Sequence, residues 1–318
     1  MFPHEQFTSL GVLVTPGAAR FLEGLRGPDI SRIIKLVEDE RPLVLSEDLL
    51  ARFLKSHDYR IINTLDVKKR FTINDFVRSV NEKYNFLQGL LAERIGNEKL
   101  VSINKCEDGK LSIIGNIWKI SESDGGYLLD VEDPTGKLQA SASKDIGSRL
   151  REEDVVVLTG ELSNNVFRVE NIVHPDIPIQ EPKLTNADVS LGFITSMRTG
   201  RNSVDFLFAL DEKIAEEFAA GTVFLLSDKK RVKNNIVPIT NPSMVEINGI
   251  RVLFVLGQNP LDMIKKRFLR TKHAFFLLKD IPDIVVTDIP TVPNYKGITF
   301  IQTQNIINLK NREISFVM

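Results

Sequence analysis

The sequence has a single cysteine, Cys106, and no long apolar run. One thiol excludes a disulfide within the chain and a thiolate zinc site, and such scarcity is typical of the reducing cytoplasm, where we expect the protein to act. No apolar stretch approaches the roughly 18 residues of a membrane span, so we expect no membrane contact. The start, Met1-Phe2-Pro3-His4-Glu5, lacks the cationic and apolar regions of a signal peptide.

The chain also lacks an excess of charge of either sign. Its 318 residues carry 41 Lys and Arg against 42 Asp and Glu, and the formal net charge is −1. A protein that binds nucleic acid through its overall charge is clearly basic, so such binding would require a local patch here. The 42% apolar content and the length predict a globular protein of two or three domains.

Residues 1–57 contain short segments with helical spacing of apolar residues. Thr15 before Pro16 is typical of an N-cap followed by proline at the first helical position, and Ser46 is typical of a second N-cap. Another helix is predicted over Ile30–Glu38. We therefore expect a compact helical module in this range.

Residues 58–100 divide into a polar, basic linker and a long helix. Thr72 is a candidate cap, and apolar residues recur at helical spacing from Phe76 to about Ile95. An apolar stripe of this length must be covered, either by the following domain or by a partner protein.

Residues 101–177 change to strand patterns. The spacing predicts five strands and a short helix: Leu111–Ile120, Tyr127–Glu132, Lys137–Ala142, the helix Lys144–Leu150, Val155–Leu162 and Val166–Val173. Three strands, a helix and two further strands match the order of a five-stranded OB-fold barrel.

Residues 178–318 show the pattern of an α/β domain. The proline-rich segment His174–Pro182 predicts a domain boundary within it, between residues 177 and 178, because proline disrupts helices and central strands. Near-continuous apolar runs predict strands buried on both faces: Val189–Thr195, Thr222–Leu226, Met244–Ile247, Arg251–Leu256, Ile284–Thr287 and Ile298–Gln302. Helices are predicted at Ser203–Phe218 and Pro260–Arg270.

Several of these segments, in this order and spacing, resemble one family over nearly the whole chain: Gly11–Pro16, Asn74–Leu87, Leu111–Gly115, Leu129–Gly136, Thr240–Ile247 and Pro282–Gln302. The chain resembles the small subunit of the archaeal D-family DNA polymerase. The resemblance implies a multidomain α+β protein with a helical N-terminal module, an OB-fold barrel and a calcineurin-like phosphoesterase α/β domain, here truncated.

The phosphoesterase domain of that family is a metal-dependent 3′–5′ exonuclease, but this chain departs from the pattern at the ligand positions. Ser196 and Arg198 stand where the family has Asp-x-His, Leu256 stands at a later histidine position, and Ile289 and Thr291 replace the last histidine pair. A two-metal site needs several carboxylate, imidazole or amide ligands around cations about 3.5–4 Å apart. We therefore expect no catalytic residue, no metal and no cofactor in a chain that is part of a DNA-directed DNA polymerase complex.

Two alternatives concern ions and DNA. Four aspartates remain near the lost positions and would suit Mg²⁺ or Mn²⁺ if they converged: Asp188, Asp228, Asp283 and Asp288. The densest basic cluster is either a solvated loop or a contact to the DNA backbone: Lys229, Lys230, Arg231 and Lys233. A second basic cluster is formed by Lys265-Lys266-Arg267 and Arg270.

The predicted barrel favours contact with protein over contact with single-stranded DNA. Residues 101–178 carry 8 Lys and Arg against 14 Asp and Glu, whereas single-strand binding uses a basic groove with stacking aromatics. Its aromatic residues Trp118, Tyr127 and Phe167 are expected in the barrel core or at its rim.

The resemblance and the lost ligands together predict a non-catalytic scaffold subunit of a DNA polymerase in DNA replication. It would bind the large catalytic subunit of a D-family DNA polymerase and meet DNA through the complex. The alternatives are an exonuclease subunit with residual metal-dependent activity and a free-standing nucleic-acid-binding protein.

Overall fold

The computed structural model describes residues 3–23, 33–34, 37, 41–54, 59–65, 71–96, 100–185, 188–196, 204–217, 220–227, 236–272 and 274–316. The chain divides into two compact units. The first comprises Met1–Thr64, Lys183–Phe254 and Ile301–Met318, and the second comprises Leu65–Pro182 and Val255–Phe300. Strands dominate both units and helices are few, which confirms a multidomain α+β protein. Within the described part of the chain, no helix has the length and apolarity to cross a membrane.

The N-terminal segment combines short helices with a small parallel ribbon. Its elements are α1 (Pro3–Ser9), β1 (Leu13–Val14), α2 (Pro16–Glu23), β2 (Val44–Leu45) and α3 (Glu47–Leu54). The predicted caps are confirmed, since Thr15 Oγ1 accepts from Ala18 N at 3.3 Å and Ser46 Oγ accepts from Leu49 N at 3.2 Å. The parallel pairing of β1 with β2 was not predicted. Most of the predicted helix Ile30–Glu38 lies outside the described residues.

A strand, β3 (Tyr59–Thr64), occupies part of the segment that was predicted to be a linker. It pairs antiparallel with Ser243–Ile247, and Arg60 Nε lies 2.9 Å from Glu246 Oε1. Backbone pairing holds this strand while its side chains stay mostly exposed, so the sequence shows no apolar alternation there.

The long helix α4 (Ile73–Ile95) follows as predicted. Thr72 and Asp75 form a capping box, and the helix ends at Gly96, whose φ is 65°. Its C-terminal half buries Tyr84, Leu87 and Leu91.

A closed five-stranded barrel comes next, after a short 3-10 helix at Ile103–Lys105. Its elements are β4 (Gly109–Ser123), β5 (Gly126–Asp133), β6 (Gly136–Ser143), α5 (Lys144–Gly147), β7 (Val155–Ser163) and β8 (Val166–Val173). The strand order around the barrel is β4-β5-β6-β8-β7, and only β6 and β8 pair in parallel. All five predicted strands and the short helix are present at the predicted places, around a core that includes Ile117, Leu129 and Phe167.

The rest of the chain forms further sheets. Its elements are β9 (Ser190–Ile194), β10 (Val204–Ala209), α6 (Glu212–Glu217), β11 (Ala220–Leu226), β12 (Ile236–Ile239), β13 (Ser243–Ile247), β14 (Ile250–Phe254), α7 (Pro260–Lys266), β15 (Phe268–Arg270), β16 (Phe275–Leu277), β17 (Ile284–Val286), β18 (Asn294–Tyr295), β19 (Ile298–Ile301), β20 (Asn305–Asn308) and β21 (Ile314–Phe316). In the first unit, one sheet has the order β12-β11-β10-β9-β20-β21, and β3, β13 and β14 pair antiparallel in another. In the second unit, β15 and β16 form a hairpin, and β19 lies between β17 and β18.

Two predicted helices differ from the structure. Residues Val204–Ala209, predicted to be helical, form the fully buried strand β10, and among the described residues of this range the helix covers Glu212–Glu217. A short apolar run fits a buried strand and a buried helix equally well by periodicity, and burial on both faces of the sheet decides for the strand. The second predicted helix, Pro260–Arg270, ends at Lys266 because Arg267 adopts the left-handed conformation with φ 62°.

One side chain of α4, Lys83, joins the helix to the barrel and to the β15–β16 hairpin. Lys83 is 2% exposed, and its Nζ donates to the Glu153 backbone oxygen at 2.7 Å and to Asn116 Oδ1 at 3.3 Å. The same ammonium lies 4.4 Å from the ring centre of Phe275 and 4.8 Å from that of Phe268. Two barrel acceptors and two hairpin rings therefore surround a single cation.

Hydrogen bonds on either side of Lys83 strengthen this packing. Tyr84 donates its hydroxyl proton to the Ile114 oxygen at 3.1 Å, and Phe275 N donates to Ser79 Oγ at 3.0 Å.

Burial lowers the pKa of Lys83 to about 8, although the carboxylates of Glu153 and Asp154 oppose this shift.

We expect Lys83→Ala to lower the free energy of unfolding by about 2–4 kcal/mol, because it removes buried packing and leaves two acceptors without this donor. The control is Lys110→Ala on the barrel surface, where the side chain is 78% exposed and a change below about 0.5 kcal/mol is expected. Urea unfolding of both variants tests the prediction, and equal stabilities would contradict it.

The pKa of Lys83 also predicts a pH dependence. Between about pH 8 and the ordinary value of 10.5, the unfolded chain holds a proton that the folded chain has lost. The free energy of unfolding of the wild type, measured against Lys83→Met, should therefore rise with pH in that window, by at most about 1.4 kcal/mol per pH unit, and stay flat below pH 7. A difference that is constant or falling from pH 8 to pH 10 would refute the assigned pKa.

Candidate functional site

The first predicted ligand position lies at the end of β9 in the first unit. Ser196 follows the strand, and Gln304 Nε2 donates to its Oγ at 2.6 Å and to its backbone oxygen at 3.2 Å. Gln304 precedes β20, and its φ is 64°. A hydroxyl and an amide in mutual contact bring no charge to this position. Arg198 lies outside the described residues.

The other predicted positions lie in the second unit, where two loops meet. Leu256 follows β14, and its neighbour Gly257 donates a backbone N–H to Asp288 Oδ1 at 2.8 Å. Ile289 follows Asp288 and donates its own N–H to Thr287 Oγ1 at 3.1 Å. The structure thus brings the loop at Leu256 beside the loop that carries Ile289 and Thr291. Neither loop offers an imidazole at these positions.

The carboxylates that remained near the lost positions do not gather into a metal site where they are described. Asp188 Oδ1 accepts a hydrogen bond from Asn308 Nδ2 at 2.6 Å, and Asp283 is buried. Across the described ranges, no three side chains of His, Cys, Asp or Glu lie close enough together to hold a metal ion. Asp228 falls outside those ranges.

The two basic clusters have different outcomes. Lys229, Lys230, Arg231 and Lys233 lie outside the described residues. The second cluster is used inside the second unit: Lys266 Nζ lies 2.9 Å from Asp154 Oδ1, and Arg270 lies 2.6 Å from Glu153. Arg267, 4% exposed, donates to the Leu278 oxygen at 2.8 and 3.0 Å. Lys266 and Arg267 are therefore part of the packing of the second unit, whereas the side chain of Arg270 is 64% exposed beside Glu153.

Two further titratable groups accompany this second cluster, the buried Asp154 and the partly buried His174, and no sequence pattern indicated them. Burial raises the pKa of Asp154 to about 6, although the ammonium of Lys266 opposes the shift. Burial also lowers the pKa of His174 to about 4, with the charge of Lys266 as the next cause. Asp154 pairs with Lys266 of α7, and burial is the main cause of the shifted pKa in both groups, so we assign them a structural role.

An apolar face of α4 remains open to solvent. Ile73, Phe76 and Val77 are spaced by three and four residues, and they are 82%, 41% and 49% exposed. The stripe predicted from the sequence is therefore only half covered by its own unit. A face with this spacing is typical of a helix that docks into the groove of another protein.

The barrel presents a second exposed apolar group. Phe167 lies in the core as expected and Tyr127 is partly buried against it. Trp118 differs from the expectation of core or rim, because it is 61% exposed on the outer face of β4. The candidate functional features are therefore surfaces, one on α4 and one on the barrel.

A comparison with curated proteins gives a partial relative. The chain is 23% identical over 138 residues to the DNA polymerase II small subunit of Archaeoglobus fulgidus, and the match covers 42% of this chain and 28% of the relative. The chain thus spans less than a third of that protein in the match. No protein-family model matches the chain.

A comparison with solved structures is less informative. The chain is similar to the asparaginyl-tRNA synthetase of Pyrococcus horikoshii, crystallised with asparaginyl-adenylate, at 19% identity over 23% of this chain and 21% of that one. The TM-score is 0.21, and a score this low supports no statement about fold or function.

Proposed function

We propose that this chain is a non-catalytic accessory subunit of a DNA polymerase that acts in DNA replication. The match to the DNA polymerase II small subunit of Archaeoglobus fulgidus carries the proposal. We further propose that the chain is a degenerate member of the D-family small-subunit group and that it binds the large catalytic subunit.

The chemistry of the predicted ligand positions supports a non-catalytic role. Ser196, Leu256, Ile289 and Thr291 offer two hydroxyls and two alkyl groups. Metal-assisted phosphodiester hydrolysis requires ligands that hold cations against the phosphate, and these side chains do not supply them.

The five-stranded barrel supports the domain assignment. Its strand order and short helix agree with an OB fold over residues 101–177, and we propose the calcineurin-like fold for 178–318. The proposed helical module is 1–57, and residues 58–100 comprise β3, the remaining linker and the long helix. In this scheme, α4 presents Ile73, Phe76 and Val77 to the partner.

Experiments can also distinguish two alternative functions, an exonuclease and a free-standing nucleic-acid-binding protein. An exonuclease would need a metal site, and a free-standing nucleic-acid-binding protein would need a basic surface. Lys229, Lys230, Arg231 and Lys233 are the residues that would serve the second function, by contact with DNA phosphates.

The first prediction from this proposal concerns catalysis. Homogeneous protein should not shorten a DNA strand labelled at its 5′ end when Mn²⁺ or Mg²⁺ is added, because the ligand positions cannot hold two cations. A Ser196→Ala variant purified in parallel is the control for a contaminating nuclease. Shortening by the wild type that disappears in this variant would establish the exonuclease alternative.

The second prediction concerns the partner. When the chain is co-expressed with the large polymerase subunit of its host, the pair should co-elute on size exclusion after nuclease treatment in high salt, because apolar contacts are screened little by salt. Val77→Asp on α4 should weaken the complex by tenfold or more, which corresponds to about 1.4 kcal/mol. Leu184→Asp, at a site 54% exposed in the first unit, is the matched control. Separate elution of the wild-type chains at micromolar concentration would overturn the proposed partner.

A further inference from the structure

Two consecutive acidic residues of the barrel receive cations from three other elements. Glu153 and Asp154 lie just before β7. Glu153 Oε1 is 2.6 Å from Arg270 Nη1 of β15, and Asp154 Oδ1 is 2.9 Å from Lys266 Nζ of α7. The backbone oxygen of Glu153 accepts a hydrogen bond from Lys83 Nζ of α4 at 2.7 Å. We call these five residues the charged seam.

The three cations of the charged seam belong to elements that also hold one another. α7 leads directly into β15, and β15 pairs with β16 as a hairpin. Phe275 N of this hairpin donates to Ser79 Oγ of α4 at 3.0 Å, and the rings of Phe268 and Phe275 lie against Lys83. α4, α7 and the hairpin therefore form one layer against the barrel, which we call the outer layer.

The charged seam joins this layer to the barrel at a cost in free energy. Lys83 is 2% exposed, and the side chains of Asp154 and Lys266 are 1% and 10% exposed. Burial lowers the pKa of Lys83 and raises that of Asp154, so it disfavours the charged form of both groups. Glu153 also has a φ of 71°, which is an unfavourable backbone conformation for a residue with a side chain.

Apolar side chains would join the layer to the barrel at least as firmly. Replacing a buried ion pair with apolar residues of similar volume is often neutral or stabilising, whereas removing one partner is strongly destabilising. Buried charges therefore favour a contact that forms in one defined position and can be broken over one that is as stable as possible.

The contact between layer and barrel hides part of the apolar stripe of α4. Tyr84 and Leu87 pack on Ile114, Val155 and Val157 of the barrel. Both side chains continue the exposed apolar face of the first turns of the helix. Separation of the layer from the barrel would therefore join the exposed and the hidden parts into one longer face.

We infer that the charged seam is a releasable contact: the outer layer separates from the barrel as one body while the barrel stays folded, and the separation uncovers the rest of the α4 stripe. Such cooperative openings below the level of global unfolding are a general property of folded proteins. The inference concerns the free chain and goes beyond the proposed function.

Native-state hydrogen exchange of the full chain at pH 7 tests the inference. The protected amides in the C-terminal half of α4, in α7 and in β16 should share one opening constant. This constant should be about tenfold or more above that of β5, which lies in the barrel outside the charged seam. Three different constants, or constants equal to that of β5, would overturn the inference.

A single substitution tests whether the layer opens as one body. Lys266→Met leaves the buried Asp154 without its cation and should raise the opening constant of all three elements by about tenfold or more, without a change in β5. Glu152→Gln is the control, because this exposed neighbour contacts Ile120 N at 3.5 Å and takes no part in the seam. It should change the constants less than twofold. Acceleration confined to α7 would contradict the inference.

A double substitution separates a releasable contact from one that simply stabilises the fold. Asp154→Leu combined with Lys266→Met replaces the ion pair with apolar side chains, and the opening constant should return to the wild-type value or fall below it. A double variant that opens as readily as Lys266→Met would overturn the inference. Thermal unfolding shows whether this variant folds, and if it does not, the wild type and Lys266→Met decide. All these measurements use the chain alone, so their failure would leave the proposed polymerase function standing.

Discussion

The structure of the second unit depends on the burial of one lysine under a long helix. Lys83 is held by two acceptors of the barrel and by two aromatic rings of the β15–β16 hairpin. A lone cation away from water is costly unless its donors and its surroundings are satisfied, so this contact fixes where α4 lies along the barrel. The C-terminal half of α4 buries Tyr84, Leu87 and Leu91 in this packing. The first turns of the helix lie outside it and keep an exposed apolar face.

The barrel and the long helix could be predicted from the sequence because local rules govern them. Short apolar segments separated by turn residues mark the five strands of the barrel, and the capping box at Thr72 and Asp75 marks the start of α4. Where neighbouring strands determine the secondary structure of a segment, the prediction from the sequence was wrong or incomplete. The apolar run Val204–Ala209 becomes a strand because the sheet covers both of its faces, and β3 exists because the backbone of β13 offers it a partner. Neither neighbour is visible in the local pattern.

Some features of the candidate site can be predicted from the sequence, and others appear only in the structure. The absence of metal-binding chemistry at Ser196, Leu256, Ile289 and Thr291 is a property of side chains and can be seen in the sequence. The sequence predicted an apolar stripe on α4 that either the following domain or a partner protein must cover. It did not predict which part of the stripe is exposed. The exposure of Trp118 could not be anticipated, because the bulge that turns it outward appears only in the pairing of β4 with β5. The two exposed apolar surfaces on the second unit support the proposal of a binding subunit.

We propose that this protein acts through those surfaces when it is bound to the large subunit of a DNA polymerase. Hydrogen–deuterium exchange of the full chain, measured alone and with the large subunit of its host, tests it most directly. The account predicts slower exchange in peptides that cover residues 73–80 of α4 and 117–132 of the barrel, in the absence of DNA. Unchanged exchange in both segments, or slowing that appears only when DNA is added, would contradict it.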